Sequence, residues 1–305
     1  MDIKVREGFV INPTIEMAPA IRISPFMECD LGAKSGEALN ALAYLNNRFG
    51  NYCLTIKARE AIKAALSFYH LREDDEVAIF TTSSNSYVSG CVTRAIEAFC
   101  KWSREVTSKT KVILVIHEFG YPCQYMAEVL KYGLPVIEDC ALSFVSQDVD
   151  KRVGRYGDFA IYSFSKFFPM QIGGLLVSNK FDLKYAPCQV SLAEKNFILQ
   201  TLALHISKID EMMRRQIDNY HYLETHLYDL GISSFFPLKE GICPAVYLFT
   251  WHEYIDYPLL KEYIQRNGIE ASVFYGKNAF FVPCHNRLSE YQLDYIITLL
   301  KHFYS

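Results

Sequence analysis

Two residues carry the clearest chemical signal in the chain, an acid and an amine that each end a short apolar run. Val136-Ile137 leads into Glu138-Asp139, and Phe159 to Phe164 leads into Ser165-Lys166. A third apolar run, Leu175 to Ser178, follows the pair Gly173-Gly174. Runs of this length, rich in Val, Ile and aromatics, read as buried strands. In open α/β sheets, ligands collect beyond strand ends. A carboxylate and an amine held there suit pyridoxal phosphate. The carboxylate pairs with a protonated pyridine nitrogen, and the amine forms a Schiff base with the aldehyde. The two residue types alone leave a blander reading open: strands often end in Asp, and a lysine after a strand is commonly a solvated charge.

The elements needed to position such a pair are legible on both sides of it. Leu39, Leu42 and Leu45 predict a helix over residues 35–48. Tyr52 to Ile56 reads as a strand, and Arg59 to Tyr69 as an amphipathic helix. Glu76 to Phe80 and Lys111 to Ile116 are further strands, with a helix opening near Tyr87 between them. Met126 to Tyr132 is the crossover helix leading to Leu134. This alternation predicts a largely parallel sheet covered on both faces. Helical character returns over residues 192–230, followed by a strand at VYLFTW, a helix and strand around Gly268, and a closing helix that Ser289 caps. Residues 1–200 are therefore expected to form a large α/β domain with an irregular N-terminal segment, broken at Pro13, Pro19 and Pro25; residues 201–305 form a small α+β domain.

Composition bounds the function. Half of the 305 residues are hydrophobic, 21% are charged, and the net charge is −3. Nothing here favours nucleic acid or an anionic membrane surface. No apolar run is long enough to span a bilayer. MDIKVREGFVINP carries charges where a signal peptide has its apolar core, so the expectation is a cytoplasmic protein. The nine cysteines are scattered without CxxC spacing, which argues against zinc and implies no disulfide framework. Most are expected as small buried apolar residues in a reducing compartment.

VIEDCALSF (136–144), VGRYGDFAIYSFSK (153–166) and the Gly173-Gly174 pair resemble the core of the DegT/DnrJ/StrS family of nucleotide-sugar aminotransferases. DEVAIF (75–80), HEFGYP (117–122), IDEMMRR (209–215) and FVPCHNRLSEYQLDYI (281–296) extend the likeness over residues 50–305. The resemblance implies a fold-type I pyridoxal 5'-phosphate enzyme, with Lys166 as the Schiff-base lysine and Asp139 as the pyridine-nitrogen partner. It implies a phosphate turn at Lys57-Ala58-Arg59, where a helix N-terminus favours an anion. It also implies Ser163, with Ser165 as a second candidate, as a phosphate hydroxyl, and Ser84 or Asn85 at the ring-stacking position. Gly154, Gly157 and Asp158 form the intervening turn. His117 and His285 are read as structural. The substrates implied are a small-molecule amino donor and a keto-sugar nucleotide in surface polysaccharide synthesis, handled by a homodimer.

The chain departs from the family pattern at several places. Ala58 replaces a glycine, Leu142 a glutamine, with Ser143 beside it, and neither Ser84 nor Asn85 is aromatic, while Tyr87 lies nearby. An asparagine motif that reaches the neighbouring subunit is missing near Ser191. These departures support an alternative, a non-catalytic member that keeps the fold and the cofactor site. A dehydratase is a third reading, and the presence of Lys166 argues against it.

Overall fold

The computed structural model describes residues 20–27 and 35–304. The expectations about Pro13, Pro19 and Cys29 lie outside these residues. The central sheet has seven strands: β1 (Tyr52–Thr55), β2 (Glu76–Thr81), β3 (Lys101–Ser103), β4 (Thr110–Ile116), β5 (Val136–Asp139), β6 (Phe159–Ser163) and β7 (Gly174–Ser178). Their spatial order is β1-β7-β6-β5-β4-β2-β3. Strands β3, β2, β4, β5 and β6 run parallel, and β7 is antiparallel to both of its neighbours.

Strand alternation divides the apolar residues between two faces. Val77, Ile79, Val112, Leu114, Ile137, Phe159 and Ile161 meet α2 (Ala58–Leu66) and α3 (Gly90–Glu97). Helix α2 forms because Ala61, Ile62, Ala64, Ala65 and Leu66 give it one apolar stripe. On the other face, Ala78, Ile113, Val115 and Val136 pack on α4 (Met126–Leu130). Beyond them on that face, Ala160, Tyr162, Leu175 and Val177 meet α1 (Ser35–Phe49) and α5 (Leu192–Ala203).

Helix α6 (Ile209–Leu227) leads to a second sheet of β8 (Ile232–Ser234), β9 (Val246–Trp251), β10 (Ser272–Val273) and β11 (Phe280–Pro283). It is antiparallel throughout. With α6, α7 (Tyr257–Arg266) and α8 (Glu290–Tyr304) it encloses a core that includes Tyr220, Tyr247, Phe249, Trp251 and Phe280.

Several local expectations need correction. Helix α3 starts at Gly90 rather than near Tyr87, because the Ser89 hydroxyl accepts the Cys91 N–H at 3.3 Å and caps it there. Helix α4 has only five residues, and Gly133, at φ +66°, closes the turn that follows it. The three-residue strands β3 and β8 are too short for any periodic signal. Cys53 and Cys188 are joined in a disulfide, a pairing that a scattered cysteine pattern does not reveal. Cys100, Cys123, Cys140, Cys243 and Cys284 are buried thiols, and Cys91 is exposed. Among the described residues, no helix is long and apolar enough to cross a membrane.

Candidate active site

The topology gathers the residues that could do chemistry at one edge of the large sheet. Register places Thr81, Ile116, Asp139 and Ile161 in one row. Two residues further, Ser163, Gly174 and Thr55 are paired across β6, β7 and β1. The carboxyl ends of β1, β2, β4, β5 and β6 therefore share this edge. Asp139 and Ser163 follow Ile137 and Ile161 by two residues, so alternation puts them on the α2/α3 face.

Asp139 is buried, and its Oδ1 accepts the Ala141 N–H at 3.0 Å. Burial pushes its carboxyl above the ordinary range; the Ala141 N–H, His117 and Lys166 pull it back. Lys166 ends a 3-10 turn pinned by the buried Phe164, whose N–H donates to Gly173 O at 2.9 Å. Part of the Lys166 side chain stays open to solvent. Desolvation still holds its ammonium below the usual lysine range, against the raising effects of Glu270, Cys91 and Asp139. Asp139 and Lys166 are thus within electrostatic reach of each other.

Glu138 points to the opposite face and organises the neighbouring turn. Its carboxylate accepts the N–H groups of Gly154, Tyr156 and Gly157 at 2.9, 2.7 and 2.9 Å. His117 Nε2 lies 3.1 Å from the same carboxylate, while its Nδ1 accepts the Cys123 N–H at 3.0 Å. The imidazole proton is therefore on Nε2, donated to Glu138. His117, Glu138 and Cys140 bring possible ligand atoms within 4.8 Å of one another. The Glu138 oxygens are already saturated by four donors, and burial pushes the Cys140 thiol well up. The group pins the fold rather than offering a cation site. Gly154 has φ +82°, and a Cβ there would meet the Tyr162 hydroxyl at 2.0 Å.

The turn before α2 lies against Gly174. A Cβ on Gly174 would stand 2.4 Å from Thr55 Oγ1, 2.7 Å from Lys57 C and 2.8 Å from Ala58 N. The glycine lets Lys57, Ala58 and Arg59 approach the Ser163–Lys166 segment. Ala58 is the first residue of α2 and is absent from the described positive-φ residues, so the missing glycine costs nothing in backbone strain. The Ile56 and Lys57 N–H groups donate to Glu60 Oε2 at 3.0 and 3.2 Å. That carboxylate takes the Lys57 N–H, a donor the expected phosphate turn would offer a ligand, and the Ile56 N–H before it. Arg59 Nη2 lies 3.3 Å from Cys91 Sγ, and the Ser163 and Ser165 hydroxyls are 3.3 Å apart.

The Ser84-Asn85 pair is committed elsewhere. Ser84 has φ +55°, and its hydroxyl is 3.1 Å from the Tyr125 hydroxyl. Asn85 is buried, donates to Tyr275 O at 2.6 Å and accepts the Tyr87 N–H at 3.2 Å. The Tyr87 ring sits 5.4 Å from that of Tyr275. The loop after β2 is therefore fastened to the C-terminal part of the chain. Ser143 Oγ is buried without a hydrogen-bond partner beside Leu142, and Ser191 caps α5 through Glu194. Sequence reading overlooked Glu270, whose charge acts on Lys166 across more than a hundred residues, as no local pattern could signal.

A buried carboxylate with one backbone donor, a desolvated lysine within its electrostatic reach and a glycine-cleared helix start fit a cationic heteroaromatic aldehyde with an anionic tail. Residues 99–188 match the DegT/DnrJ/EryC1/StrS aminotransferase family. The chain is 38% identical over 247 residues to the dTDP-4-amino-4,6-dideoxy-D-glucose transaminase of Shigella dysenteriae, covering 64% of this chain and 67% of that protein. It is 40% identical over 81 residues to the GDP-perosamine synthase of Escherichia coli O157:H7, covering 25% of this chain and only 22% of that protein's length. Spr1654 from Streptococcus pneumoniae, solved in its PLP-form, superposes with a TM-score of 0.69 at 15% identity, over 94% of this chain and 97% of that one.

Proposed function

This chain belongs to the DegT/DnrJ/EryC1/StrS aminotransferase family, and on that premise we propose that it is a pyridoxal 5'-phosphate-dependent aminotransferase. Its substrates are a small-molecule amino donor and a keto-sugar nucleotide, in keeping with the sugar-nucleotide names of its relatives. Surface polysaccharide synthesis, a cytoplasmic location and a homodimer complete the reading. The observation that carries it is the placement of Asp139 and Lys166 at one sheet edge, within reach of each other's charge.

When bound, the cofactor supplies an electron sink beside the amine being transferred. Asp139 would hold a proton on the ring nitrogen through a charge-assisted hydrogen bond, which its burial strengthens. Lys166 would hold the aldehyde carbon and, once displaced by the donor, carry a proton at Nζ between the substrate carbon and the cofactor. Desolvation favours the neutral, basic form of Nζ that this task needs. Lys57, Arg59 and Ser163 would bind the phosphate beside the start of α2.

The test is spectroscopic. Protein supplied with pyridoxal phosphate should develop a visible-range band, Lys166→Ala should lose the covalent adduct, and an amino donor such as glutamate should bleach the wild-type band. A colourless wild-type protein overturns the reading. One set of observations favours the second reading, a catalytically inert member: Asn85 is buried in a structural contact, and Leu142 is apolar. A band that no amino donor alters would select that reading.

A further inference from the structure

Residues 20–27 tie the Lys166 turn to the C-terminal sheet region and carry an arginine whose Nε is buried without a hydrogen-bond partner. Ile21 forms a parallel bridge with Ile269. Its N–H donates to Gly268 O at 3.0 Å, and the Glu270 N–H donates to Ile21 O at 2.8 Å. The 3-10 turn Pro25–Met27 packs against Phe164–Lys166. Between these anchors, Glu270 Oε2 accepts the Ile23 N–H at 3.0 Å.

The same oxygen stands 3.8 Å from Arg22 Nη1, too far for a hydrogen bond. Arg22 Nε is buried with no hydrogen-bond partner, and the guanidinium lies 5.5 Å from the Phe26 ring centroid. An arginine has five N–H donors in a rigid fork, and a buried donor left unmade is destabilising. Among the described residues, a loose ion pair and an aromatic ring hold this fork, and its Nε is left unsatisfied. Glu270 is the first of the charges that act on Lys166. The guanidinium therefore stands one carboxylate away from the lysine amine.

We propose that Arg22 is the oxyanion receptor of this site: its fork takes an anionic group of the substrate, and Glu270 is the internal counter-ion that the substrate displaces. The shared chemistry is a bidentate oxyanion, which guanidinium matches better than an ammonium does. It has two sources, the α-carboxylate of the amino donor and the diphosphate of the sugar nucleotide. This inference rests on the aminotransferase reading for its ligands, but its test does not depend on turnover.

Calorimetric titration of the cofactor-supplemented protein with α-methyl-L-glutamate, which has no Cα proton to transfer, and, separately, with thymidine diphosphate distinguishes the sources. Arg22→Gln should weaken one probe by about tenfold or more, the scale of one charged hydrogen-bond pair. Loss confined to α-methyl-L-glutamate assigns the carboxylate, and loss confined to thymidine diphosphate assigns the diphosphate. Glu270→Gln, which keeps an acceptor for the Ile23 N–H, should tighten the same probe by removing the competing charge. The gain should vanish when Arg22→Gln is added to Glu270→Gln; a purely structural Arg22 would leave it in place. Unchanged affinity for both probes in Arg22→Gln, or no gain in Glu270→Gln, overturns the proposal. Absence of the visible band in wild type would sink the cofactor reading separately.

Discussion

At the scale of single residues, Asp139 sets a buried charge against the stability of the fold. Its carboxyl is raised by burial, so the folded protein binds a proton more readily than the unfolded chain does. Ionisation therefore costs stability at neutral pH. The cost disappears as pH falls through the folded pKa and below the unfolded value of 3.8. Asp139→Asn should raise the melting temperature of cofactor-free protein at pH 7, with no gain at pH 3. The same change should lower transamination by about 10²–10³-fold, the scale of losing one electrostatic partner at a reacting centre. Thermal melts at the two pH values, paired with single-turnover kinetics, check both halves. A lower melting temperature at pH 7 would contradict the burial argument.

At the scale of elements, two contacts hold the site together. Gly174 allows the β1–α2 turn to touch β7, and the atoms a Cβ would meet are mainly backbone. Gly174→Ala should cost about 1–3 kcal/mol by overpacking and weaken cofactor binding, read by denaturant titration and by cofactor titration. His285 clamps residues 20–27: its Nε2 lies 3.1 Å from Arg22 O, and its Nδ1 accepts the Arg287 N–H at 3.2 Å. Desolvation pushes it down to about 4 from 6.5. The unfolded chain takes up this proton first, so stability falls as pH drops from 6.5 towards 4 and levels off below. The full loss is on the order of 3 kcal/mol. His285→Asn should flatten the profile within that window, and identical slopes for both proteins would refute it.

At the scale of the whole molecule, the homodimer reading predicts twice the 35.1 kDa chain mass by light scattering. Leu39 on α1 and Leu192 on α5 are 67% and 74% exposed. A 35 kDa particle would count against a site shared between subunits. The family-like strand ends were legible because each short strand writes its apolar residues contiguously and then changes to polar chemistry at its end. The loop after β2 was less legible. Asn85 looks like a ligand-contact candidate in sequence, yet its partner Tyr275 is nearly two hundred residues away.

The sequence by itself determined the order of the longer strands and helices, the parallel core and the acid–amine pair, because these depend on local periodicity and on residue type. Tertiary structure alone decided that the loop after β2 is fastened through Asn85 to Tyr275. It also decided that Glu138 and His117 brace a turn, and that Arg22 and Glu270 reach the Lys166 region. Those pairings join residues distant in the chain, and burial sets their strength; neither distance nor desolvation is written in a linear pattern.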